Sequence, residues 1–267
     1  MEFLYSDDPF SIFIFTVVMI VLFILLLNIL MGSVAALMKN SQEYVIKGMI
    51  PASIPTYIPV NPLVPGSKPI ERSDNKTGIE FSWSVWLNAT DLDMNKDSYL
   101  HVFNKGEEGI TTNGVIVPNN SPGVYLKADK ATNSCELHVL MNTFSTGSTY
   151  YDEITVPNIP LNKWVNVIVR IMNNKFDVYV NGTLATEHIL TDVPQQNYGS
   201  VNVGLNGGFS GYLSNLMYFS YGLSPGKIMD IQKRGPNLKL NSTAGSLYYA
   251  PNYLSSQWYS NNNNLIT

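Results

Sequence analysis

Cysteine, charge and basic clusters are what this chain has least of. A single cysteine, Cys135, stands among 267 residues. One thiol makes no internal disulfide, so the fold has to hold by its core, and the usage fits a reducing compartment. Charged residues are 13% of the chain, and the net charge is −4 with no basic cluster. Phosphate binding needs concentrated Lys and Arg, so a nucleic-acid partner is excluded. His101, His138 and His188 are scattered without ligand spacing. Cys135 has no CxxC partner, and neither a nucleophilic triad nor a phosphate loop can be assembled.

Long apolar runs, by contrast, are present once, near the start. Pro9 to Met38 carries no charged residue, and Ile12 to Met31 is almost purely Ile, Val, Leu, Phe and Met. About 20 such residues cross a bilayer core as a helix, so residues 10–38 are predicted to span a membrane after a short flank, 1–9. A cleaved signal peptide is the weaker reading, because the run is too long and the flank is acidic at Glu2, Asp7 and Asp8. Lys39 and Lys47 follow the span and no Lys or Arg precedes it. The positive-inside rule then puts the large C-terminal part of this single-pass chain on the cytoplasmic side.

Residues 39–76 read as a tether. Prolines at 51, 55, 59, 62, 65 and 69 fix φ and remove donors, which excludes helix and central strand. As polyproline-like chain at about 3.1 Å per residue, Pro51 to Pro69 would reach on the order of 60 Å. Between the prolines it is apolar, which suits a segment lying along a protein surface as well as a stiff spacer with no partner.

From residue 77 the pattern turns to β. Lys163 to Ile189, KWVNVIVRIMNNKFDVYVNGTLATEHI, reads as three antiparallel strands joined at Asn173-Asn174 and Asn181-Gly182. Two-residue hairpin loops need φ > 0, which Asn and Gly tolerate best. That fixes the register: Ile171 with Phe176, Val169 with Val178 and Val167 with Val180 on an apolar face. Arg170 with Asp177, Ile168 with Tyr179 and Asn166 with Asn181 form a mixed face. Further strands are expected at Ile79–Leu87, Tyr99–Phe103, Gly123–Lys127, Glu136–Met141, Glu153–Val156 and Ser200–Leu205. One late helix is signalled by Ser224 as N-cap, Pro225 in the first turn and Ile228, Met229 and Ile231, ending at Gly235-Pro236.

The order FSWSVWLNATD, then the hairpin above, then VNVGLNGGFSGYLSNLMYFSYGLSPGKIMDIQKRG resembles the concanavalin A-like, laminin-G-type jelly rolls. Trp164, Val178-Tyr179-Val180-Asn181-Gly182, Gly204, Phe209-Ser210-Gly211-Tyr212-Leu213 and Ser224–Gly235 stand where that family has its signature segments. The resemblance implies a mainly β chain, with an antiparallel jelly-roll β-sandwich over 77–236 behind the helix. It implies no particular ligand, because the fold hosts lectins, glycosidases, adhesion modules and structural proteins.

Glycosidases on this fold use closely placed carboxylates, whereas Asp152 and Glu153 are neighbours on a strand and point to opposite faces. The chain is therefore expected not to be an enzyme. Asp91, Asp93, Asn95 and Asp97 alternate like the start of a calcium loop, and laminin-G modules often carry calcium at a loop rim. Lys96 stands where the helix–loop–helix version needs Gly and Val102 where it needs Glu, so an inter-strand polar loop is the plainer account. Tyr150, Tyr151, Tyr198, Tyr212, Tyr218 and Tyr221 are available as sugar platforms, but strand packing accounts for tyrosine equally well. Sequons occur at Asn75, Asn88, Asn181 and Asn241. Residues 237–267, rich in Asn, Ser and Tyr, look like a tail that orders against a partner.

Helix, tether and jelly roll together resemble minor capsid proteins of large double-stranded DNA viruses with an internal membrane. The expected partners are a lipid bilayer and a capsid or other protein lattice, with location in the virion. The alternative is a cell-surface lectin or adhesion module with a glycan partner.

Overall fold

The computed structural model describes residues 9–38, 44–73, 78–92, 98–110, 113–129, 134–144 and 151–241. Two units make up the chain, Met1–Glu43 and Tyr44–Thr267. In the first, α1 runs from Pro9 to Met38. Between Pro9 and Ser33 most of its side chains are apolar and exposed, as at Phe10, Phe23 and Ile29. The stretch Pro9–Ser33 is long and apolar enough to cross a bilayer. Two of its hydroxyls bond within the helix, Thr16 Oγ1 donating to Ile12 O (2.8 Å) and Ser33 Oγ to Ile29 O (2.9 Å).

The second unit stacks two six-stranded antiparallel sheets. The first has the order β1 (Tyr44–Pro51), β14 (Ser210–Phe219), β3 (Glu80–Asp91), β10 (Val165–Met172), β11 (Lys175–Val180), β12 (Thr183–Ile189). The second has β2 (Thr56–Ile58), β13 (Ser200–Val203), β4 (Leu100–Gly106), β7 (Asn120–Asp129), β8 (Ser134–Asn142), β9 (Tyr151–Ile159). A small ribbon pairs β5 (Gly109–Ile110) with β6 (Ile116–Val117), and α2 spans Pro225–Arg234. The core lies between the sheets. Phe81, Trp83, Val85 and Leu87 of β3 meet Val102, Val124, Leu126, Leu137 and Val139 of the second sheet, all buried.

The hairpin register is as the turns dictate: Val167↔Val180, Ile168↔Tyr179, Val169↔Val178, Arg170↔Asp177 and Ile171↔Phe176. Asn173 takes φ 58, and Asn181 and Gly182 take φ 50 and 79. Asn174 is not left-handed, so one positive φ is enough for the first turn. Asn181 also uses its side chain, Oδ1 accepting from Asn166 N at 2.9 Å.

Two expectations need correcting. From Tyr44 onward the supposed tether belongs to the sandwich. β1 pairs with β14 along one edge, and β2 pairs with β13 along an edge of the other sheet. Proline excludes central strands but not edge strands, whose outward N–H needs no partner. Between Pro59 and Lys68 the chain closes into a loop, Lys68 N donating to Pro59 O at 2.8 Å, instead of extending. Residues 39–43 alone lie between α1 and β1. At the other terminus, the segment 237–241 is not free tail: it lies parallel to β1, Met49 N donating to Lys239 O (2.9 Å) and Asn241 N to Met49 O (2.8 Å). Gly48, at φ 94, permits this approach, since a Cβ there would stand 2.8 Å from Lys239 O. Residues 242–267 lie outside the described residues.

The mixed face of the hairpin is covered by chain that follows β14. Ile168, Tyr179, Met217 and Phe219 are covered by Leu223 and by Ile228 and Ile231 of α2. The helix starts as expected, Ser224 Oγ accepting from Lys227 N, and Gly235 (φ 69) ends it. Polar residues on this face tie the covering chain down. Ser82 Oγ donates to Tyr221 O and accepts from Leu223 N, both at 3.0 Å. Ser214 Oγ donates to Asn237 O (2.8 Å) and accepts from Asn237 N (3.0 Å). Asp177, fully buried, receives Arg170 Nε and Nη2 on one oxygen at 2.9 and 2.5 Å.

Candidate functional site

Of the four calcium candidates, Asp91 is exposed at the end of β3. Asp93, Asn95 and Asp97 lie outside the described residues. Among the described residues no group of three or more His, Cys, Asp or Glu side chains is placed to hold a metal ion.

The alternation of β4, β7, β8 and β9 puts a row of polar rings on the outer face of the second sheet. His101 stands opposite Tyr125, Tyr125 opposite His138 and His138 opposite Thr155. His138 is bracketed by two carboxylates, Nδ1 lying 2.6 Å from Glu153 Oε1 and Nε2 3.2 Å from Glu136 Oε2. Tyr99 Oη donates to the same Glu153 oxygen at 3.0 Å. The bond from His138 holds the Glu153 carboxyl below its ordinary range, against the opposing effect of burial. Burial, and then Glu153, raise the Tyr99 phenol. His101 is fully enclosed, and desolvation lowers it to about 3. It is held by Asn104 Oδ1 at 3.1 Å and by Leu205 N, which donates to its Nδ1 at 3.0 Å. These groups hold each other, and both carboxylates near His138 are hydrogen-bonded to it. Asp152, on the opposite side of β9 from Glu153, instead accepts from Thr191 N (3.0 Å) and Thr191 Oγ1 (2.9 Å).

A different arrangement sits between the sheets. A cleft of about 400 Å3 opens where Phe81, Trp83 and Tyr218 of the first sheet face Lys105 and Ser121 of the second. Val60, Pro62, Pro69 and Ile70 of the closed loop and its exit wall it on one side, Asn197 and Tyr198 on another. The aromatic floor is packed, with ring centroids 4.9 Å apart for Trp83 and Tyr218 and 5.4 Å for Trp83 and Phe103. Tyr218 Oη donates to Glu71 O at 2.7 Å. Lys105 is buried, and desolvation brings its ammonium down to about 8. It donates to Asn197 O (3.0 Å), Asn197 Oδ1 (3.2 Å) and Gly199 O. At the mouth the Arg72 guanidinium lies 5.3 Å over the exposed Tyr198 ring and donates to its hydroxyl at 2.7 Å. Sequence reasoning missed this cleft. Its walls come from segments some 140 residues apart in the chain, and only Tyr198 and Tyr218 had drawn notice. Of the other tyrosines noted, Tyr212 and Tyr221 are exposed and Tyr151 packs on the outer face of the second sheet, while Tyr150 lies outside the described residues.

Two antiparallel sheets over one core, with polar loops at their ends and a short helix on one face, define the class of lectin-like jelly rolls. The chain belongs to the concanavalin A-like lectin/glucanases superfamily, which it matches over residues 68–229. No curated protein matches it. Among solved structures it is similar to the receptor-binding domain of a botulinum neurotoxin C/D mosaic serotype, at 14% identity and a TM-score of 0.43 over 58% of this chain. The binding domain of serotype G gives 10% identity and a TM-score of 0.46 over 73% of this chain. The serotype D ligand-binding domain in complex with N-acetylneuraminic acid gives 14% and 0.43 over 58%. The chain spans 36%, 47% and 36% of those three structures, well under two thirds of each.

Proposed function

We propose that this protein is a non-enzymatic, membrane-anchored structural component that ties a lipid bilayer to a protein lattice. Its setting in this reading is the minor capsid of a large double-stranded DNA virus with an internal membrane. The observation that carries it is α1, a 30-residue helix without a charge and apolar on every side. Such a helix has no stable place in water. The sandwich beside it in sequence supports a binding role, because its clustered titratable groups are committed to one another. In this reading the sandwich faces the cytoplasmic side, which Lys39 and Lys47 after the helix favour and where a lone buried thiol stays reduced.

Protease protection in intact particles or vesicles tests the topology. The sandwich is digested only from the side it faces, and the protein stays in the pellet on carbonate extraction. Release by carbonate, or glycan occupancy at Asn75 or Asn241, overturns the reading. Glycan-array binding that is lost with a chelator replaces it with the lectin reading.

A further inference from the structure

We infer that the loop between Pro59 and Lys68 sets its tip, Leu63 and Val64, into the surface of the bilayer that α1 crosses. The inference rests on α1 spanning that bilayer. Leu63 is 88% exposed, more than any other large apolar side chain among the described residues. The tip that presents it is fixed by two successive turns. Val64 N donates to Asn61 O at 3.0 Å and Ser67 N to Val64 O at 3.1 Å. Leu63 N donates to Asn61 Oδ1 at 3.0 Å, and Lys68 N closes the loop on Pro59 O. Pro62 and Pro65 carry no N–H, so between Pro62 and Lys68 only the Gly66 amide is left for water or a headgroup. Backbone entering the headgroup–acyl boundary needs such satisfaction, because water is scarce there.

The place of the loop in the sandwich selects lipid as the occupant. Lys68 Nζ donates to Tyr44 O (3.3 Å) and Val45 O (2.8 Å), which binds the loop base to the first residues of β1. Only residues 39–43 separate Tyr44 from α1, and that length of chain covers at most about 20 Å however the two units are arranged. Strand register puts further exposed apolar groups at this same end. Ile58 opposes Val201, Ser200 opposes Gly106, Gly106 opposes Asn120, and Asn120 N donates to Asn142 Oδ1. Tyr198 therefore emerges here just before β13, and Phe144 just after β8, its amide bonded to Val193 O; all three side chains are exposed. Tyr198, an amphipathic ring with the Arg72 guanidinium over it, is a pairing suited to the membrane interface. Lys68 spends its ammonium on carbonyls and Glu71 neighbours Arg72, so the contact is one of apolar burial rather than of net charge.

The test uses the full-length protein, methyl-labelled at Leu and Val, one copy per phosphatidylcholine nanodisc, with a fraction of the lipid carrying a headgroup nitroxide. The Leu63 signal is identified by its loss in Leu63→Gln, and discs with the nitroxide reduced give the reference intensity. Leu63 and Val64 lose most of their intensity, while Leu184, exposed beside the Asn181-Gly182 turn at the opposite end, keeps its own. Leu63→Asp, a change at an exposed tip, restores the Val64 signal. Raising salt from about 0.05 to 0.5 M leaves the contact in place, since it is not ionic. Protein that stays in the bilayer on carbonate extraction while Leu63 is affected no more than Leu184 overturns the contact and leaves the anchor standing. Release by carbonate overturns the anchor itself, and this inference with it. Loss of the effect at high salt overturns apolar burial. A Leu63 signal untouched by the nitroxide but changed when two copies share a disc overturns the lipid contact in favour of a second copy.

Discussion

On the outer face of the first sheet, Ile168, Tyr179, Met217 and Phe219 meet the isoleucines of α2. On the outer face of the second, His101, Tyr125 and His138 form a row tied to Asn104, Asn120 and Glu153. Much of each face is buried, yet one is closed mainly by carbon around a buried ion pair and the other by hydrogen bonds between rings and amides. The comparison teaches that burial alone does not tell how a face responds to its surroundings. The carbon-closed face depends on packing volume. The polar face depends on which protons are where.

Breaking the buried charge pair of the first face has the largest expected effect. Arg170→Ala leaves Asp177 buried without its cation and lowers stability by about 3–5 kcal/mol in urea unfolding, while Arg170→Met with Asp177→Leu recovers most of the loss. Truncating the cover is next. Ile231→Ala destabilises by about 2–4 kcal/mol, with no dependence on pH between 5 and 8. Acid sharpens the contrast from the other side. His101, lowered to about 3 when folded, stays neutral while the unfolded chain takes up a proton below about 6.5. The unfolded state then binds more protons, so stability falls as pH drops from 6.5 toward 3, by about 2 kcal/mol at pH 5. Glu153, lowered as well, adds to the loss in the same direction once pH enters the carboxylate range. Hydrogen exchange at pH 5 against pH 7 checks it: amides of β4, β7 and β8 lose protection before those of β10 and β11. The smallest effect is chemical. Cys135 is buried in the shared core and its thiol is pushed up to about 12, so iodoacetamide labels it only after denaturant is added.

How much of this was legible in the chain differs by region. The hairpin was readable to the residue, because Asn173 and Asn181-Gly182 leave few turn geometries and each geometry implies one register. α2 was readable from Ser224, Pro225 and Gly235, which cap it as expected. β1 and β2 were not, because proline forbids a central strand without saying whether an edge is available. Which faces are covered was equally hidden: Ser82, Ser84 and Asn166 alternate as solvent residues do, and only the fold brings chain over them. The cleft had no local signal at all. Asp91 could be located, but the rest of the calcium motif falls outside the described residues.

The parallel contact of residues 237–241 with β1 has a mechanical consequence. Tension applied between the chain before Tyr44 and the chain after Asn241 pulls two parallel segments in opposite directions along their length. Their two backbone bonds, Met49 N to Lys239 O and Asn241 N to Met49 O, are then sheared together instead of opened one at a time. The edge acts as a clasp that shares the load with the pairing of β1 to β14.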